Sequence, residues 1–125
     1  MVWRKIFTMK TKQKKIIKPW GHEIIWAENK LYAGKILIIN SQNKLSKQYH
    51  KIKEETIYVL TGTLLLQIGD GKSMKEVLLK RGESYHISKG TIHRFVAKFG
   101  DVELLEVSTP ELDDVVRLED DYDRT

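Results

Sequence analysis

Between residues 35 and 107 the chain never runs more than a few residues without a turn signal. The pairs Thr61-Gly62, Arg81-Gly82, Lys89-Gly90 and Gly100-Asp101, and the triplet Gly69-Asp70-Gly71, separate short apolar runs from one another. These runs are Lys35–Ile39, Thr56–Leu60, Thr63–Ile68, Val77–Leu79, Ser84–Ile87, Ile92–Ala97 and Val102–Val107. All are shorter than the ~10–12 residues at which a helix becomes the better reading, and they are rich in Ile, Val, Leu, Thr and aromatics. Such spacing predicts an all-β sandwich or barrel of about seven to nine strands. Thr56–Leu60 and Thr63–Ile68 read as a hairpin about Thr61-Gly62, and the later runs as a meander. Helix is expected only near the C-terminus, where Thr109 can cap a short turn with Pro110 at its first position and acidic residues after it.

A length of 125 residues with 41% apolar and 31% charged side chains suits one compact domain. No apolar run approaches the ~18–20 residues of a membrane span, so a cytoplasmic protein with no membrane partner is expected. The absence of cysteine excludes disulfides and thiolate ligands, which leaves N and O donors for any metal. The net charge of +5 is unevenly spread. Residues 1–18 carry seven basic and no acidic side chains, and residues 111–125 carry seven acidic and two basic. A basic leader therefore accounts for much of the excess, and no nucleic-acid partner is needed to explain it. Residues 1–16 are read as this leader and 17–125 as the domain.

Gln48, His50, Glu55 and His93 carry the chemistry. Residues two apart on a strand share a face, so Gln48 and His50 can point into one cavity. Glu55 has the opposite parity to His50, and a bend within Lys51–Glu54 would bring it inward with Ile57 and Val59. Without such a bend Glu54 is the alternative. With His93 the group is an N2O2 donor set suited to Zn, Mn, Fe, Co or Ni. His22 and His86 have no such company and are read as structural or exposed.

Gln48-x-His50, four residues, Glu55, six residues and Gly62 follow the first sequence motif of the cupin superfamily. Gln48 stands where the first His is usual and Gln42 where a leading Gly is usual. Gly82, Ser88-Lys89-Gly90 and His93 follow the second motif, with Ser88 at its Pro and Ala97 at its Asn. Lys18-Pro19-Trp20-Gly21 with Glu23, Leu45-Ser46, and the ending from Asp113 to Arg124 narrow the resemblance. They resemble the C-terminal cupin domain of type II phosphomannose isomerase–mannose-1-phosphate guanylyltransferases, with Asp123 where that ending usually has Gly. The guanylyltransferase half has no counterpart here.

This resemblance implies a single-domain jelly-roll barrel with a divalent metal on Gln48, His50, Glu55 and His93. It also implies aldose–ketose isomerisation of a phosphorylated sugar of the mannose 6-phosphate type. Lys53, Arg94, Arg117 and Arg124, with Lys35, are then candidates to hold the phosphate or hydroxyls. Lys35, Glu23 and Tyr85 are candidate proton carriers. Two other readings stay open: a non-catalytic cupin that binds a sugar, sugar nucleotide or small anion, and, further off, an Fe(II) oxygenase. The resemblance also implies a homodimer, in which the leader could supply a strand.

Overall fold

The computed structural model describes residues 9–124, and these form strands and turns with no helix among them. The strands are β1 (Lys14–Lys18), β2 (Gly21–Glu28), β3 (Ala33–Ile39), β4 (Lys47–Tyr49), β5 (Glu55–Thr61) and β6 (Thr63–Gly69). They continue with β7 (Met74–Lys80), β8 (Ser84–Ile87), β9 (Ile92–Val96), β10 (Val102–Ser108) and β11 (Val116–Glu119). Two antiparallel sheets result, ordered β1-β2-β3-β10-β5-β8 and β11-β4-β9-β6-β7. No helix of the described residues is long and apolar enough to cross a membrane.

Alternation of side chains along each strand sorts the interior from the surface. Ile57 and Val59 of β5, Leu64 and Leu66 of β6, and Val102 and Leu104 of β10 are fully buried, joined by Ile39, Ile87 and Phe95. These residues fill part of the space between the sheets. The inward positions elsewhere are taken by Glu23, Lys53, Glu55, His93 and Glu106, all almost wholly buried. Burying this many charges is costly unless they are paired, so the polar region marks where the fold has been shaped for something other than stability.

Three local expectations are corrected. First, β5 and β6 lie in different sheets and do not form a hairpin. Only Gly62 separates them, too short for a two-residue turn, and the chain bends over the barrel edge. Gly62 has φ 81°, and a Cβ there would sit 2.3 Å from the Asp101 carbonyl oxygen, so only glycine fits the bend. Second, the later runs are no meander. β7 pairs with β6, β8 with β5, β9 with β4 and β6, and β10 with β3 and β5, so the chain passes back and forth between sheets.

Third, the helical turn after Thr109 is not formed. Residues 110–115 are a series of tight turns, with Leu112 N–H on Pro110 O at 2.8 Å and Asp114 N–H on Glu111 O at 3.2 Å. Thr109 Oγ1 accepts from Glu54 N–H at 3.1 Å and is drawn away from any capping role in its own segment. Two residues other than glycine take up the left-handed backbone: Gln42 has φ 69° and Asp123 has φ 59°. The Gln42 side-chain amide donates to Lys98 O at 2.9 Å, a local bond that accompanies this conformation.

Candidate metal centre

β4 ends at Tyr49, Lys51 and Ile52 make a bend, and Glu55 opens β5 on the inward face with Ile57 and Val59. Glu54 points the other way, with Oε1 3.1 Å from His86 Nε2 and Oε2 accepting from Lys89 N–H at 2.8 Å. His93 comes from β9, where Gln48 of β4 stands opposite it in register. The turn before β9 is tied to the first ligand segment, since Gly90 N–H donates to His50 O at 2.7 Å.

Three donor atoms converge. Glu55 Oε1 is 3.2 Å from His50 Nε2 and 3.2 Å from His93 Nε2, and the three atoms all lie within 4.8 Å of one another. Each ring is oriented from behind: His50 Nδ1 is 2.6 Å from Asp114 O and His93 Nδ1 is 2.9 Å from Thr91 O. A carbonyl can only accept, so in the neutral rings Nδ1 carries the proton and Nε2 presents a lone pair to the centre. His93 Nε2 is fully buried and has no hydrogen-bond partner, its approach to Glu55 being close but poorly aligned. Two imidazole lone pairs directed at Glu55 Oε1 in a buried site set acceptors against an acceptor, and a divalent cation fits that set. Gln48 lines the same cavity, and its Oε1 accepts from Ser46 Oγ at 2.7 Å, leaving its second lone pair.

Behind the centre lies a buried chain of charges running from Glu55 through Lys53 to Glu106. Lys53 Nζ is 3.3 Å from both Glu55 Oε2 and Glu106 Oε2. Burial pushes the Glu55 carboxyl up, but hydrogen bonds from His50 and His93, made where Nε2 carries a proton in the cation-free site, and the charge of Lys53 outweigh it and hold the group well below the usual carboxylate range. Burial and the charge of Glu55 push Glu106 up to about 7, against the pull of Lys53 and Lys35. Burial works against the Lys53 ammonium, yet Glu106 and Glu55 raise its pKa above the ordinary lysine value. Glu106 is not among the residues expected from the sequence; the available signal is its inward parity on β10, in register with Val102 and Leu104.

A cavity of about 500 Å³ opens above the centre. Lys35 and Glu23 line it and pair at 3.5 Å, with Lys18 3.9 Å from the same carboxylate. Lys53, Arg117 and Arg124 also line it, and Arg124 is paired with Asp120 at 2.9 Å. Arg94 and Tyr85 are placed elsewhere. Arg94 is buried on the far side of β9, donating to Leu45 O and Glu119 O, and Tyr85 packs against the apolar core.

Residues 110–115 form one wall of the cavity. Asp114 fastens this wall, its carboxylate accepting from the backbone N–H groups of Lys51 (3.1 Å), Ile52 (2.7 Å) and Lys53 (2.9 Å). These bonds, from Lys53 and Ile52 above all, bring its pKa down to about 2. A depressed carboxylate contributes stability above its unfolded pKa of about 3.9 and loses it as pH falls toward 2. The urea midpoint of wild-type protein should therefore drop more between pH 5 and pH 2.5 than that of Asp114→Asn. Equal drops would show that these bonds do not respond to the charge.

The sequence matches the Mannose-6-phosphate isomerase C-terminal family over residues 7–120. The chain belongs to this family. It is similar to the xanthan biosynthesis protein XanB of Xanthomonas campestris pv. campestris (strain B100), 31% identical over 120 residues. That alignment takes in 92% of this chain but only 25% of XanB, so the chain spans about a quarter of the length of its curated relative. Solved structures with the same fold include KdgF from Halomonas sp., with TM-score 0.69 and 17% identity over 82% of this chain and 88% of that one. The capsular polysaccharide assembling protein CapF from Staphylococcus aureus (TM-score 0.71, 15% identity, 86% of this chain and 34% of that one) shares it. So does the oxalate decarboxylase OxdC of Bacillus subtilis (TM-score 0.76, 15% identity, 86% and 30%). These neighbours establish a cupin jelly roll for this family member.

Proposed function

We propose that the protein is a metal-dependent isomerase of a phosphorylated sugar, of the mannose 6-phosphate to fructose 6-phosphate type. The observation that carries this reading is the buried, unpartnered His93 Nε2, facing His50 Nε2 and Glu55 Oε1 beneath a charged cavity. His50, Glu55 and His93, with Gln48, would hold a divalent ion such as Zn, Mn, Fe, Co or Ni. When bound, the ion would supply positive charge to stabilise negative charge developing on the C1 and C2 oxygens. Lys35 and Glu23, paired at 3.5 Å on the cavity wall, would carry a proton between the two carbons. Lys53, already engaged by two carboxylates, would orient Glu55, while Arg117 and Arg124, which line the same cavity, would meet an anionic group.

Metal analysis of purified protein beside His50→Ala and His93→Ala, followed by an assay of mannose 6-phosphate conversion, tests the reading. About one divalent ion per chain, lost in both variants, with turnover only in the loaded wild type, is the expected result. Bound metal with heat stabilisation by sugar phosphate but no turnover would replace it with a non-catalytic binding role.

We further propose that the family member is a homodimer. β1 is an edge strand, and Ile17 on it is 74% exposed. Gel filtration of the full chain against a form starting at Met9 should show a smaller species for the shortened form. Unchanged size would remove the leader, whose residues 1–8 lie outside those described, from any part in assembly.

A further inference from the structure

Asp114 touches the centre twice, by different atoms. Its carboxylate holds the bend at 51–53, the segment joining His50 to Glu55, and its main-chain oxygen accepts from His50 Nδ1 at 2.6 Å. The residue itself belongs to the wall formed by residues 110–115, which has no strand or helix of its own to stiffen it. Beyond Asp114 the wall continues into β11, which pairs with β4 at Val116–Tyr49 and Arg117–Gln48. At its start the wall is clasped to Glu54, by Thr109 N–H on Glu54 O and Glu54 N–H on Thr109 Oγ1, each at 3.1 Å.

From this geometry we infer that Asp114 is a positioning residue, coupling cation binding at His50, Glu55 and His93 to the closure of the 109–119 strap over the cavity. The inference rests on the metal-centre reading above. Moving the strap outward withdraws the carbonyl that fixes the His50 ring and releases the bend that sets the His50-to-Glu55 spacing. A cation that needs both donors in place favours the closed strap, and by linkage a released strap weakens the cation. The consequence is a cavity wall that is firm when the cation is present and loose when it is absent.

Co(II) is the probe, because its visible absorption reports the donor geometry. Amide hydrogen exchange of residues 109–119 in the wild type should slow about tenfold on Co(II) loading, beyond any change in the distant β6–β7 pair. Asp114→Ala should bind Co(II) about 10–100-fold more weakly, as for loss of other partners that orient metal ligands, with an altered visible spectrum. Asp114→Asn, which keeps the shape and one acceptor oxygen, should fall between. Wild-type affinity and spectrum in both variants, or strap exchange indifferent to Co(II) in the wild type, would overturn the coupling while leaving the metal centre intact. Failure of the wild type itself to bind Co(II) would overturn the metal-centre reading and this inference together. The wild-type exchange measurement keeps the test decisive even where Asp114→Ala does not fold.

Discussion

Glu55→Gln is expected to lose cation binding by at least about 100-fold, more than is usual for an outer partner of a ligand, while folding as well as the wild type. Glu55 is the one acidic donor among the three converging side chains, and its replacement leaves two neutral rings and an amide. No anion then balances a divalent ion taken out of water. The fold should tolerate the change, because Lys53 keeps Glu106 at 3.3 Å and the amide is nearly the carboxylate's shape. Thermal unfolding with and without added Zn(II) or Mn(II) separates the two effects. The wild type should gain about 2.7 kcal/mol at a cation concentration one hundred times its Kd. The variant should gain almost nothing and should melt with the metal-free wild type. A variant that still shifts with cation would move the centre away from Glu55, and one that is unfolded would make Glu55 a structural residue first.

Lys53→Met is expected to destabilise the metal-free protein by about 3–5 kcal/mol, the usual cost of leaving buried charge without its partner. Its Nζ is the bridge between two carboxylates that are each almost completely buried, and Glu55 and Glu106 would face one another without it. Adding Glu106→Gln should restore part of the loss, most at alkaline pH, because Glu106, pushed up to about 7 even beside Lys53, ionises next to Glu55 only as pH rises. A bound divalent cation should also reduce the loss, since it supplies positive charge on the other side of Glu55. Denaturant unfolding of wild type, single and double variants in chelator checks the expectation. If Lys53→Met is as stable as wild type, water reaches the carboxylates and the chain of charges is not buried in solution.

Much of the centre could be read from spacing because its donors sit close to turns. His50 and Glu55 are separated by one bend, and His93 follows Gly90 by three residues, so short motifs hold most of the geometry. The strand content was less legible where charge sits inside. β2 carries Glu23 inward between apolar neighbours, β1 is embedded in the basic leader, and β11 in the acidic ending, so none of them shows clean alternation. The apparent hairpin at Gly62 looked like a local turn, yet its geometry is decided by Asp101, far along the chain. The same holds for Thr109 and Asp114. Each has the local chemistry of a helix start, and each is claimed by the backbone of residues 51–54. Glu106 and Arg94 illustrate the limit for single charged residues: parity turns Glu106 inward and Arg94 outward, and only the packed neighbours say that the first joins the centre and the second is buried under the tail.

β10 lies between β3 and β5, pairing Val102 with Ile39 and Ser108 with Ala33 on one side and Glu55 on the other. While the ribosome is still making the chain, these two earlier strands have no bridge between them until residue 108 has emerged. Each presents an open row of amides and carbonyls through most of that time, a template for pairing with the wrong chain. Completion of the sheet then waits on contacts some seventy residues apart, which places folding toward the slow end for domains of this size. Nascent chains stalled before β10 should therefore be the species that chaperones hold and that aggregates recruit.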